Sequence, residues 1–195
     1  MNEVSGKVDS GWLQAVLQTL TRTSVAGNDD LGALRDQLVS LAWDERAPRA
    51  SVFQAIDAEE RFRRHPLASI ESIGCSALLM YWPPGHATLP HDHGGLWGIE
   101  VVIDGSLAIN EFVRQSDKAD AKLAETTTLH LGVGDAALFE SARYIHRCRN
   151  LSNVHPTLTL HVYGGALNAF NTFSHDQAGA CLTQLVTPHT DALLS

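Results

Sequence analysis

Ten histidines occur in 195 residues, and two of them, His91 and His93, flank Asp92 as an H-x-H pair. On an extended segment, side chains at i and i+2 project to the same side, so both imidazoles can reach one ion. Neutral imidazoles suit iron, copper, nickel or zinc, and ligand type alone does not choose among them. A second pattern is the run Pro156-Thr157-Leu158-Thr159-Leu160-His161-Val162-Tyr163. Period-two alternation puts Thr157, Thr159, His161 and Tyr163 on one face and Leu158, Leu160 and Val162 on the other. The aliphatic face is suited to packing outward under other elements. The polar face must point where two hydroxyls, an imidazole and a phenol find partners, as in the lining of a barrel that holds a metal.

The surroundings of the H-x-H pair give it weight, because the pair alone arises by chance. The chain reads Gly85, five residues, His91-x-His93, four residues, position 98, six residues, Gly105. Downstream come Gly134 and then His146, three residues, Asn150. These two blocks resemble the paired motifs of the cupin superfamily. The resemblance implies a mainly β fold, a double-stranded β-helix (jelly-roll barrel) with a metal inside it. There are two departures. Where many cupins carry a glutamate ligand the chain has Gly98, so the implied ligand set is His91, His93 and His146. The Pro and Gly of the second motif are Glu140 and Ala142, and His146 sits one residue late. Glu100 stays open as a fourth ligand should the strand register differ.

A three-histidine set without a carboxylate narrows the resemblance to the thiol dioxygenases, the cysteine dioxygenase and 3-mercaptopropionate dioxygenase group. The matching segments are Tyr81-Trp82-Pro83-Pro84-Gly85, His91-Asp92-His93, Ile145-His146-Arg147 and the Pro156 to Tyr163 run, within roughly residues 60–175. In that family a Ser-x-His-x-Tyr strand lies beside the iron with its hydroxyl, imidazole and phenol hydrogen-bonded in a row. Thr159, His161 and Tyr163 would form the row here, threonine keeping the hydroxyl.

The resemblance further implies Fe(II), one per chain, and a small carboxylated thiol that reacts with O2 to give its sulfinic acid. A substrate thiolate would balance the charge of an ion held by neutral ligands. Arg64 falls where cysteine dioxygenases carry the arginine that pairs with the substrate carboxylate, and Arg63 is the near alternative. Some members have a cysteine at the Gly98 position that cross-links to the tyrosine; here Tyr163 is expected to remain a free phenol. Two other functions compete. A ring- or diketone-cleaving metallocupin dioxygenase would want a wide apolar pocket and no arginine clamp. A non-catalytic ligand-binding cupin would have no need of Thr159, His161 and Tyr163 on one strand.

The elements that must position these residues differ between the two parts of the chain. Residues 1–65 read as a helical segment and 66–195 as the barrel, together one compact unit. Ser10 is placed to cap a helix with an apolar stripe from Trp12 to Leu20. Asp29-Asp30 opens a second, with Leu31, Leu34, Leu38 and Leu41 on one face, and a third is expected from about 49 to 64, ahead of Pro66. Strands are expected at 77–82, 97–103, 106–113, 126–131, 136–140 and 157–163, with Asp104-Gly105 a hairpin turn and 116–125 a solvated tip.

The composition, 44% hydrophobic and 18% charged, supports a packed core. A net charge of −8 without a basic cluster argues against a nucleic-acid partner. Neither a membrane span nor a signal peptide is legible, and Cys75, Cys148 and Cys181 show no framework spacing. A cytoplasmic monomer or weak homo-oligomer with buried thiols is expected. Trp82, Trp97, His65, His86, His130, His155, His175 and His189 are read as packing or surface residues.

Overall fold

A computed structural model describes residues 8–22, 31–54, 61–116, 122–140, 142–175 and 181–191. Among the described residues three helices come first: α1 (Ser10–Arg22), α2 (Leu31–Ala42) and α3 (Ala50–Gln54). The cap of α1 is Asp9 rather than Ser10, since Asp9 Oδ1 accepts from the backbone N–H of Gly11 at 2.8 Å and of Trp12 at 3.1 Å. Asp29-Asp30 lies outside the described residues. Trp12, Val16 and Leu20 of α1 and Leu31, Leu34, Leu38 and Leu41 of α2 are buried at helical spacing.

The strands are β1 (Arg63–Ile70), β2 (Cys75–Trp82), β3 (Gly98–Asp104), β4 (Leu107–Arg114), β5 (Leu123–Leu131), β6 (Ala136–Phe139), β7 (Ile145–Asn150), β8 (Thr157–Tyr163), β9 (Phe170–His175) and β10 (Cys181–Val186). Two expectations fail here. Arg63 and Arg64 belong to a strand, not to a helix end, and β1 crosses the expected boundary at 65/66. Pro66 is accommodated because β1 is an edge strand, where a missing N–H costs no ladder bond. The supposed hairpin tip also gives its last three residues, 123–125, to β5.

The order β1-β2-β8-β3-β6 makes one sheet; β5-β4-β7 and β10-β9 lie in the other. His91 ties these last two together by bridging His146 of β7 and Thr172 of β9. The result is the cupin double-stranded β-helix with the helices packed outside. Leu158, Leu160 and Val162 of β8 share one buried cluster with Trp12, Leu34 and Leu38, so the aliphatic face of β8 lies under the helices. Leu78, Met80, Val102, Ile109 and Phe139 fill a second cluster inside the barrel. At the β3–β4 turn Gly105 has φ +86°, and a Cβ there would stand 2.5 Å from Thr157 Oγ1, so glycine is required.

Candidate metal centre

Strand register decides which side chains meet inside the barrel. β8 is central, with β2 on one side and β3 on the other, and pleating sends alternate residues inward. One rung joins Arg64, Met80, Thr159 and Val102; the next joins Leu78, His161, Glu100 and Ala137; a third joins Tyr163, Gly98 and Phe139. Arg64 is therefore on the inward face and Arg63 on the outward one.

His91 and His146 are held side by side by a reciprocal backbone pair, His91 N–H to His146 O at 2.8 Å and His146 N–H to His91 O at 3.0 Å. Asp92 fixes the loop that carries His91 and His93 by accepting from the Asn171 backbone at 2.9 Å and the Asn171 side chain at 2.7 Å. Asn150 anchors the far end of β7, donating to the carbonyls of Trp82, Pro83 and His155 and accepting from Thr157 Oγ1.

The donor atoms of His91, His93 and His146 lie within 4.8 Å of one another. Three imidazole nitrogens that share one ion at about 2.1 Å stand roughly 3.0–3.6 Å apart, so the rings draw together to complete a site. His91 Nδ1 meets the Leu89 carbonyl at 2.9 Å, which leaves Nε2 to face the ion. Both nitrogens of His93 and Nε2 of His146 are buried without a hydrogen-bond partner. Buried orphaned nitrogens of this kind are expected at a metal site. Burial lowers all three imidazoles, His93 and His146 well below 6.5, so protons do not compete for these lone pairs at neutral pH. The residues present fit a metal ion.

Beside them runs a continuous row. Trp82 Nε1–H donates to Thr159 Oγ1 at 2.8 Å, Thr159 Oγ1 meets His161 Nε2 at 2.7 Å, and His161 Nδ1 meets the Tyr163 hydroxyl at 3.1 Å. Burial, with the Glu100 charge, pushes the Tyr163 phenol well above 10, and nearby Arg64 opposes the rise. A cavity of about 270 Å³ opens onto Trp82, His161 and Tyr163 of this row and onto His91, Glu100 and Arg64, with Phe62, Leu89 and Phe170 among its apolar walls.

Arg64 is 8% exposed, sits 6.0 Å over the Phe170 ring, and has no ion-pair partner among the described residues. Arg63 is engaged elsewhere, with Asp191 at 3.2 Å. Of the two candidate arginines, only Arg64 lines the cavity.

Glu100 changes the electrostatics expected from the sequence. It is 2% exposed, with Oε1 3.6 Å from His146 Nε2 and 3.3 Å from His161 Nδ1, and Cys148 Sγ is 3.7 Å from Oε2. Burial would raise its pKa, but the neighbouring His146 and His161 outweigh burial and lower it. A second donor set, Glu100, His146 and Cys148, thus overlaps the three histidines. Gly98 supplies no donor because Phe139 fills its space: a Cβ at 98 would stand 2.2 Å from the Phe139 ring, which stacks on His93 at 4.2 Å.

Of the sequence-predicted candidates, His91, His161, Tyr163 and Arg64 line this cavity, while His93 and His146 cluster with His91, Thr159 adjoins His161, and Arg63 lies outside it. Trp82 and His86, read as packing or surface residues, also line it, with His86 stacked on Phe62 at 4.9 Å. Trp82 was findable as an inward β2 residue, though its partner depends on the β2–β8 register. The three cysteines are free and buried, as expected.

No curated protein matches the chain. Among solved structures, an oxalate oxidase is 18% identical, with 48% of this chain and 43% of that chain covered and a TM-score of 0.38. The chain thus spans less than half the length of that protein. A Thermus thermophilus protein is 21% identical, covering 57% of this chain and 91% of that one, with a TM-score of 0.41. The cupin domain of an XRE-family transcriptional regulator from Enterobacter cloacae is 19% identical, covering 52% and 94%, with a TM-score of 0.40. The sequence profile of cysteine dioxygenase type I matches residues 12–176, from the first helix through the last strand of the cavity wall. That match takes in well over half of the sequence, and the chain belongs to the cysteine dioxygenase type I family.

Proposed function

We propose that the protein is an Fe(II)-dependent thiol dioxygenase acting on a small carboxylated thiol. The reaction is RSH + O2 → RSO2H: sulfur loses four electrons, dioxygen gains them, and both oxygen atoms end on sulfur without an added reductant. Arg64 carries the reading. A buried guanidinium with no carboxylate partner among the described residues, lining the same cavity as His91 of the histidine cluster, is suited to a bidentate pair with a substrate carboxylate.

His91, His93 and His146 would hold the metal as neutral imidazoles. Iron(II) supplies open coordination positions at which a thiol and dioxygen react. Tyr163 stays protonated in its buried position and offers a hydrogen bond to the reacting centre; His161 and Thr159 fix its direction. The apolar walls keep bulk water out and strengthen the Arg64 pair. Three free, buried cysteines support a reducing, cytosolic setting for this chemistry.

The test is anaerobic loading with Fe(II), then oxygen uptake with cysteine, 3-mercaptopropionate and mercaptosuccinate. The expected result is one O2 consumed per thiol, with both atoms of 18O2 recovered in a sulfinate. No uptake with any carboxylated thiol at full iron occupancy overturns the reading. The apolar walls at Phe62, Leu89 and Phe170 would then favour a ring- or diketone-cleaving metallocupin dioxygenase.

A further inference from the structure

The donors around Glu100 determine more than its burial. A buried carboxylate has only acceptors and needs hydrogens pointed at it. Among the described residues the groups nearest its oxygens are Cys148 Sγ at 3.7 Å from Oε2, and His161 Nδ1 at 3.3 Å and His146 Nε2 at 3.6 Å from Oε1. The thiol can turn its hydrogen to Oε2. His146 Nε2 has no hydrogen to give once its lone pair faces a metal. Oε1 is left with one N–H donor, His161 Nδ1.

The two neutral tautomers of His161 have opposite consequences for the row. With the hydrogen on Nε2, His161 would donate to Thr159, and the bare Nδ1 lone pair would face a carboxylate oxygen at 3.3 Å, which is repulsive. Tyr163 would then spend its phenolic hydrogen on Nδ1. With the hydrogen on Nδ1, both neighbours of that nitrogen, Glu100 Oε1 and the Tyr163 hydroxyl oxygen, are acceptors. Nε2 then accepts from the Thr159 hydroxyl, whose oxygen accepts from Trp82 Nε1–H. Every group between Trp82 and Tyr163 is satisfied in this order.

We propose that Glu100 is a positioning residue that sets the polarity of the Thr159–His161–Tyr163 row, holding His161 as the Nδ1–H tautomer so that Tyr163 keeps its phenolic hydrogen for the cavity. Glu100 comes from β3 and occupies the rung of His161, so the β3–β8 register delivers it where Gly98, two residues earlier, delivers nothing. The tautomer rests on the Glu100–His161 geometry with Glu100 ionised and His146 holding a metal; its part in turnover rests on the thiol dioxygenase reading.

The experiment uses the full chain labelled with 15N-histidine and loaded with Zn(II), which is diamagnetic. Two-bond 1H–15N correlations report the His161 tautomer, with His161→Gln identifying its signals. The wild type should show Nδ1–H. Glu100→Met, with Glu100→Leu as a second variant should the first not fold, should move most of the His161 population to Nε2–H. A wild-type Nε2–H signal, or Nδ1–H retained in either folded variant, overturns the proposal.

In the Fe(II) form, Glu100→Met should lower kcat by about tenfold or more while KM for the thiol stays within about threefold, the pattern of a group that acts on the transition state through another. A raised KM with unchanged kcat overturns the positioning role. If the wild type oxidises no thiol yet shows the tautomer switch, the thiol dioxygenase reading fails and the Glu100 assignment stands.

Discussion

Replacing Gly98 by alanine probes the aromatic wall behind the metal ligands. An ideal Cβ at this position falls 2.2 Å from Phe139 Cζ, 2.7 Å from Cε2 and 2.9 Å from Cε1. The ring has nowhere to go: Phe139 is 3% exposed, stacked on His93 at 4.2 Å and on Tyr144 at 4.7 Å. Gly98 is not among the positive-φ glycines, so alanine brings no backbone strain and would by itself stabilise by about 0.4–1 kcal/mol through the unfolded chain. Overpacking costs roughly 1–3 kcal/mol, and we expect a net loss of about 1–2 kcal/mol. For a chain of this length that is a Tm lower by about 2–8 °C.

The sign should reverse once the ring is removed. Phe139→Ala alone costs about 3–5 kcal/mol, but in that background Gly98→Ala should be neutral or stabilising by up to about 1 kcal/mol. Urea unfolding of the four proteins gives the coupling, expected at about 1–3 kcal/mol. Zn(II) titration of Gly98→Ala should show weaker binding, because the displaced ring pushes His93. Equal costs of Gly98→Ala in both backgrounds, within about 0.5 kcal/mol, would refute the steric account.

Arg64→Gln should raise KM for a carboxylated thiol by about 10- to 100-fold with little change in kcat, while Arg63→Gln, on the outward face, leaves KM alone; steady-state oxygen uptake separates them. Adding Zn(II) to the metal-free chain at 100 times its Kd should stabilise it by about 2.7 kcal/mol in thermal unfolding, and His146→Ala should abolish that shift. Burial pushes the Cys75 thiol from 9.0 up to about 11 and, with the Glu100 charge, raises Cys148 well above 9.0. The folded state therefore favours protonated thiols, so their contribution is full below about pH 9 and falls as pH rises toward 11 and beyond. Urea unfolding between pH 8 and 10.5 should show this decline, and Cys75→Ala should make it shallower.

Local periodicity made much of the molecule legible. The two faces of β8 follow from alternation, which any extended segment obeys, and they point as the alternation requires. The stripes of α1 and α2 follow from helical spacing in the same way. The helix expected to end at Arg64 failed because the edge position that tolerates Pro66 in a strand is a property of the sheet, not of the local sequence. The α1 cap moved to Asp9 because two adjacent polar residues compete for the same backbone donors.

Residue types and short spacings by themselves determined that imidazoles would gather and that one strand would carry a hydroxyl, an imidazole and a phenol in line. Which arginine enters the cavity, why position 98 has no room for a ligand, and where a carboxylate comes to bear on His161 were decided only by tertiary structure. Each depends on which residue of one strand stands opposite which residue of another. A shift of one residue in that pairing turns every side chain to the other face, and no single strand carries the information that prevents it.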